Sequence, residues 1–535
     1  MRLARRRPRQ PHQATQEDRK INRGVGRLNR KEFLQVAGLF GLASLIPYTQ
    51  SQGFFSTNER TLPNVLILVL DALSARHMTL HGYSRNTTPN LARLAERSLV
   101  YHRHYAAGNF TTPGLASMLT GVYPWSHRAF NTYGLVSQDY MERNVFSLLS
   151  SEVYSSAYSH NLLTNLLLHQ FRSDIDQYIT PRNLALADLQ YSDILFGKDY
   201  NVSFLAEASI LKEPYPVVGS LYSGLIYQLY QQYLAMNLAR NLGGKFPFEI
   251  PNENQVFYML EPLIEWVMDQ VHTMPQPFLA YYHFLPPHDP YLPPRDFYDC
   301  FKDDGYRMVE KPPRFSTGSF SDQTLALANR RYDEYLAYAD REVGRLCDFL
   351  EKTGIFENTY LIFTSDHGDL FERGEIGHIT RLLYEGIIRV PLLIVQPGQK
   401  ERVDILDVTS NVDLLPTILR LFDQPIPDWC EGQILPGIKG AKPSPGRVVY
   451  TVEAKQNHKY APITIGTLAA RTENLKLIQY FGYPDIALEY ELYDIDNDPE
   501  ELNNLVESQP TVARDLQKLL QQKLDEVNQP YLQSN

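Results

Sequence analysis

The run Asn64-Val65-Leu66-Ile67-Leu68-Val69-Leu70 has no polar residue after its first position and ends on Asp71. A strand wetted on one face alternates apolar and polar side chains. An unbroken run of β-branched residues and leucine predicts a strand buried on both faces, as in the interior of a parallel sheet. Such a sheet needs helices on both sides. A helix beginning near Thr88-Pro89 has Leu91, Leu94 and Ala95 on one face. Residues 278–285, 360–364 and 391–395 read as further strands. Ahead of the second lies a long helix carrying Leu336, Val343, Leu346 and Leu350 at helical spacing, with Gly354 as its stop. Together these predict an α/β fold, an α/β/α sandwich around a mostly parallel sheet.

The rhythm breaks between about 180 and 272. That stretch reads as a largely helical insertion in a domain spanning 62–425, serving either packing or as a lid over substrate or a membrane-facing flap. A smaller α+β unit is expected over 446–535, closing with a helix around 512–527. Before the first strand, residues 1–31 form a basic segment of net charge +9, whereas the remainder carries −19. A basic head on an acidic body argues against a nucleic-acid partner, whose binding would place positive charge on the folded domain. Residues 32–50 contain an uncharged stretch from Phe33 to Tyr48, 16 residues long, the length of a signal sequence's apolar region and short for a spanning helix. It reads as a signal sequence or a retained membrane anchor, or else as a buried helix. Asn29-Arg30-Lys31-Glu32-Phe33 resembles a twin-arginine signal with Lys31 at the second arginine. The expected location is therefore outside the membrane, periplasmic or extracellular. Cys300, Cys347 and Cys430 are the only cysteines, which excludes a disulfide scaffold and a cysteine zinc site.

Open α/β sheets bind ligands at the carboxyl ends of their strands. Asp71 stands at one such end and Asp366-His367-Gly368 at another. One aspartate after a strand commonly caps the next helix. Two carboxylates and an imidazole arriving at one rim suit a divalent cation. Thr111-Thr112-Pro113 opens a helix, where free N–H groups attract an oxyanion. Alone it reads as a capped helix; beside a metal, Thr111 becomes a candidate nucleophile, because coordination lowers a hydroxyl's pKa. His288, in the loop Pro286-Pro287-His288-Asp289-Pro290-Tyr291, and His378 are candidates for protonating a leaving group, or ligands of a second metal. His283, inside a strand, reads as a core histidine.

In sequence order, PNVLILVLDAL, TTPNLARLAERS, TTPGLASMLTGVYP, PPHDPY, TSDHG, LYEGIIRVPLLIVQPG and ELYDIDNDPEELNNL resemble motifs of the sulfatase/alkaline-phosphatase superfamily across residues 62–530. The resemblance implies an alkaline-phosphatase-like fold. It places Asp71, Asp366 and His367 at metal-ligand positions, Thr111 at the nucleophile and His288 beside substrate. His378 falls near a family lysine, or near a histidine of the phosphotransferase branches. Two departures stand out. Sulfatases carry Cys or Ser where this chain has Thr111, with an arginine where it has Leu115, and they convert the former to formylglycine. Ala72 replaces a second aspartate, leaving one carboxylate fewer.

The implied activity is that of a metal-dependent hydrolase or phosphotransferase of phosphate or sulfate esters, on small-molecule, lipid or glycan substrates. A divalent ion (calcium, zinc or manganese) would sit on Asp71, Thr111, Asp366 and His367, with a second possible at His288 and His378. As the resemblance implies, threonine at the nucleophile position is typical of branches that hydrolyse phosphate esters or transfer phosphoethanolamine or phosphoglycerol. The alternatives are a sulfuric ester hydrolase working without formylglycine, and a non-catalytic surface protein with a retired site.

Overall fold

Strand β1 (Asn64–Leu70) is buried along its whole length, as its composition requires. The computed structural model describes residues 62–185, 187–188, 229, 232–233, 236–238, 240–253, 256–315 and 319–532. The basic segment 1–31, the apolar stretch 33–48 and most of the expected helical insertion lie outside them. The other strands are β2 (Leu99–Tyr105), β3 (Tyr154–Ser159), β4 (Gln177–Ile179), β5 (Ala187–Asp188), β6 (Asn252–Glu253), β7 (Val256–Phe257), β8 (Phe278–Phe284), β9 (Thr359–Thr364), β10 (Leu392–Val395), β11 (Val403–Ser410), β12 (Val449–Glu453), β13 (Gly466–Arg471), β14 (Leu475–Phe481) and β15 (Glu489–Asp494).

Eight strands form the main sheet in the order β11-β2-β10-β9-β1-β8-β3-β4. Its pairings are parallel except where β10 meets β9 and β2. Side chains of β1 alternate between two apolar layers. Leu66, Leu68 and Leu70 face the long helix Asp322–Lys352 and the helices Pro89–Ala95 and Leu260–Thr273. Val65, Ile67 and Val69 face the helices Thr111–Thr120, Leu162–Gln170 and Leu414–Leu421. The α/β/α sandwich follows directly: a strand apolar at every position needs helices on both sides. The helix Leu260–Thr273 falls inside the stretch read as an insertion, yet Leu263, Ile264, Val267 and Val271 are core residues of the sandwich.

Strands β12 to β15 form a separate antiparallel sheet. The C-terminal helix Pro510–Leu532 covers one face through Ala513, Leu520 and Leu524. The other face, with Ala469, Ile478, Tyr480 and Tyr493, packs on Tyr105, Tyr384, Ile387 and Ile388 of the main body. A buried lysine crosses this seam. The Lys476 ammonium, with no exposed side-chain surface, donates to Leu383 O at 3.1 Å, lies 3.1 Å from Glu385 Oε1 and contacts Glu501. Removing one member of a buried ion cluster costs roughly 3–5 kcal/mol, because the remaining charges lose their partner. Lys476→Met is therefore expected to lower the unfolding free energy by about that amount, read from the midpoint of urea denaturation at constant slope.

Candidate active site

In the sheet, Val69 of β1 pairs with His283 of β8 on one side and Thr364 of β9 on the other, while Ser159 of β3 pairs with His283. The residues just past this line, Asp71, Asp366-His367 and Asn161, therefore leave the sheet at one rim. Thr111 comes to the same rim from the segment after β2. Its helix lies on the layer that holds Ile67 and Val69. Gly114 sets the distance: a Cβ there would stand 2.4 Å from the Asp366 carbonyl oxygen. Only glycine lets the first turn rest on that backbone.

Each carboxylate keeps one oxygen occupied and one open. Asp366 Oδ1 accepts from the N–H groups of Ala72 (3.3 Å) and His367 (3.1 Å), whereas Oδ2 has no hydrogen-bond partner. Asp71 Oδ2 accepts from Asn161 Nδ2 at 2.7 Å, whereas Oδ1 has none. His367 donates Nδ1–H to Gly368 O at 2.9 Å, which leaves the Nε2 lone pair for the site. Nε2 lies 3.4 Å from Thr111 Oγ1, 3.4 Å from Asp71 Oδ1 and 3.5 Å from Asp366 Oδ2. The amide of Asn161 cannot turn. Its Oδ1 caps the helix Leu162–Gln170 by accepting from Leu163 N (2.7 Å) and Thr164 N (3.2 Å), so Nδ2 reaches Thr111 Oγ1 (3.3 Å) as well as Asp71. The turn after β1 is fixed from outside. Tyr332 OH donates to Ala72 O (2.8 Å) and accepts from Ser74 N (3.0 Å), holding Ala72 in the left-handed region at φ 58°.

His288 and His378 join this group. The ring of His378 is centred 4.3 Å from His367 and 4.8 Å from His288. His378 donates Nδ1–H to Asp369 (3.0 Å), whose other oxygen accepts from Tyr291 OH (2.7 Å). Asn109 Nδ2 holds the loop by donating to His378 O (3.0 Å) and Thr380 O (2.8 Å). Ligand atoms of His288, Asp289 and His378 lie within 4.8 Å of one another, as do those of Asp71, Asp366 and His367.

Burial would raise the Asp71 carboxyl, but His288 and His283 outweigh it and hold it well below the usual range. Burial opposes a charged His367, yet Asp366 and Asp71 lift it from 6.5 to about 9. Burial and the neighbouring His367 push His378 down, against the pull of Asp369. The donor set fits a divalent cation: two buried carboxylates each aim an unpartnered oxygen at an imidazole nitrogen and a hydroxyl.

Every candidate from the sequence (Asp71, Thr111, His288, Asp366, His367 and His378) is thus in one cluster. Three details differ. Thr111 is itself the first helical residue, after an extended Phe110. Its side chain turns into the site instead of folding back as a cap, and Pro113 takes a later place in the first turn, where its missing N–H costs nothing. His283 is not an isolated core residue: its Nε2 lies 3.2 Å from Asp71 Oδ2. Asn161 and Asp369 were not anticipated. Asn161 follows the apolar-ended strand β3 and precedes a leucine-rich helix, a cap signal that gave no hint of its second hydrogen bond.

A cation and a proton compete for His367 Nε2. With its value raised from 6.5 to about 9, protonation of this group stabilises the metal-free fold fully below 6.5, and that stabilisation is lost as pH climbs through 9. Metal affinity should therefore rise from pH 7 to 9 with release of a proton, measurable by calorimetric titration in buffers of different ionisation enthalpy. Gly114→Ala should cost both stability and turnover, since the added methyl must displace the Asp366 carbonyl.

Comparisons with known proteins agree with this architecture. The Sulfatase family pattern matches residues 63–424, and the pattern for the C-terminal part of N-sulphoglucosamine sulphohydrolase matches residues 374–530. A choline-sulfatase of Rhizobium meliloti is 25% identical over 476 residues, covering 83% of each chain. Arylsulfatase K of Xenopus laevis is 23% identical, covering 86% of this chain and 82% of its own. Two solved structures share the fold. One, in complex with its substrate D-glucosamine-2-N,6-O-disulfate, has a TM-score of 0.61 at 20% identity, covering 89% of this chain and 99% of its own. The phosphonate monoester hydrolase of Agrobacterium radiobacter has a TM-score of 0.59 at 17% identity, covering 87% and 96%. With the family pattern running through both carboxylates, the threonine helix and the histidine cluster, the chain belongs to the sulfatase family of sulfate- and phosphate-ester hydrolases.

Proposed function

We propose that this chain hydrolyses a sulfate or phosphate ester by in-line attack of Thr111 Oγ1 on the sulfur or phosphorus atom. The observation that carries the reading is a buried threonine hydroxyl 3.4 Å from His367 Nε2, in a pocket where Asp71 Oδ1 and Asp366 Oδ2 lack partners. Asp71, Asp366, His367 and Thr111 would hold a divalent cation, which neutralises the carboxylates and makes a hydroxyl acidic enough to attack near neutral pH. Asn161 donates to Thr111 Oγ1 and so turns the attacking lone pair away from itself. Thr111 Oγ1 would shed its proton to solvent before attack; as the Oγ1–S or Oγ1–P bond forms, the ester bond to the leaving oxygen breaks, and that oxygen takes a proton from the His288/His378 pair. The backbone N–H groups of Thr111 and Thr112, at the start of that helix, would hold the non-bridging oxygens. Water then attacks the same central atom and passes a proton back to that pair, while the bond to Thr111 Oγ1 breaks, releasing sulfate or phosphate and returning the threonine oxygen to its starting state.

A threonine ester cannot expel its anion by breaking its own C–O bond, as a formylglycine hydrate does, so both halves of the cycle must pass through the central atom. Phosphorus accepts that route readily, which favours phosphate or phosphonate esters over sulfate esters. Transfer to an acceptor alcohol would use the same intermediate. The basic head followed by an apolar stretch supports an exported enzyme, with that stretch as signal or anchor. No helix among the described residues is long and apolar enough to cross a membrane.

Thr111→Ala is expected to lower kcat by at least about 10³-fold while the protein still binds its metal stoichiometrically. The two are read together by steady-state kinetics and elemental analysis of one preparation. Turnover equal to the parent would exclude Thr111 as the nucleophile. Parallel assays on aryl phosphate, phosphodiester, phosphonate and aryl sulfate substrates then rank the central atom.

A further inference from the structure

In the sequence His283 reads as a core residue; in the structure it is buried and also lies against Asp71. Along β8, Leu279, Tyr281 and His283 face one side. The first two lie in the apolar layer under the Thr111 helix, so the third, last on that face, comes out at the floor of the site. The ring is fully buried. Its Nδ1 is held by two hydroxyls, Thr164 Oγ1 at 3.1 Å and Tyr281 OH at 3.1 Å. Either can accept a hydrogen bond from Nδ1–H and so leave a lone pair on Nε2. Nε2 stands 3.2 Å from Asp71 Oδ2 and 4.0 Å from Asp366 Oδ2, and it makes no hydrogen bond. It is aimed between the two carboxylates.

We infer that His283 is a ligand of the cation held by Asp71, Asp366 and His367, so that two imidazoles bind it. The inference rests on the reading above that this pocket takes a divalent ion. The 4.0 Å separation from the open oxygen of Asp366 is one that donor atoms adopt when each lies ~2.0–2.6 Å from one ion, whereas the 3.2 Å contact is to the Asp71 oxygen that also accepts from Asn161. The arrangement at Nδ1 is what a ligating histidine shows, its second nitrogen fixed by an outer partner. The residue after Asp71 is Ala72, a methyl that offers no donor. His283 supplies from the neighbouring strand what that position does not. Two carboxylates, two imidazoles and a hydroxyl form a mixed nitrogen–oxygen set, which prefers zinc or manganese over calcium.

X-ray absorption at the zinc edge of the full-length protein, stripped and reloaded with one equivalent of zinc, counts the imidazoles directly. Two are expected in the parent and one in His283→Gln, with zinc binding weakened more than about 100-fold, beyond the loss typical of an outer partner, and calcium binding changed far less. If His283→Gln fails to fold, the count is made instead in His288→Ala/His378→Ala, which removes the other candidate imidazole pair: two imidazoles there support His283, and one overturns it. A parent site with a single imidazole overturns this inference and leaves the proposed function standing; His283 would then only orient Asp71. A parent that takes up no divalent ion at all overturns both.

Discussion

The first turn of a helix lying directly on the carbonyl of Asp366, with no side chain between them, is the contact on which the rest of this site depends. It exists because residue 114 is glycine. Through it, a hydroxyl that enters from one side of the molecule and an imidazole carried by the central sheet come within 3.4 Å. The two are separated by more than 250 residues of chain. Neither the strand ends nor the helix alone would place these atoms, because each is positioned by its own packing layer. The glycine contact locks the two layers in register.

Around that contact the charges are arranged so that each donor has one face already spoken for. Backbone N–H groups take one oxygen of Asp366, the Asn161 amide takes one oxygen of Asp71, and the Gly368 carbonyl takes one nitrogen of His367. The remaining atoms converge and have only each other. This is an expensive arrangement in a dry interior, and it is held by groups with no freedom to relax: an amide locked by helix capping and a turn pinned by Tyr332. Preorganisation of this kind removes the reorganisation that water would need during reaction.

Much of this was legible from the sequence, for a physical reason. A strand apolar at every position has one environment, and an aspartate directly after it has few others, so β1 and Asp71 announced both the sandwich and its rim. The same holds for Asp366-His367 after β9. The direction of β10 was not legible, since four apolar residues report burial and say nothing of polarity. His283, Asn161 and Asp369 were hidden for a related reason: each acts through sheet register or helix capping, properties of pairs of distant segments. A histidine in a strand and an asparagine before a helix look ordinary until the neighbouring chain is in place.

The lysine buried between the two sheets has a consequence for how the gene product tolerates damage. Its carboxylate partners are contributed by a short helix beside the catalytic loops and by a segment near the end of the chain. A premature stop before Glu501 would leave an ammonium group facing a single acid inside an apolar seam, and would strip the covering helix from the outer sheet. Catalytic half and tail are therefore one thermodynamic object. Late truncations should read genetically as nulls, although every residue proposed to act on the ester precedes them.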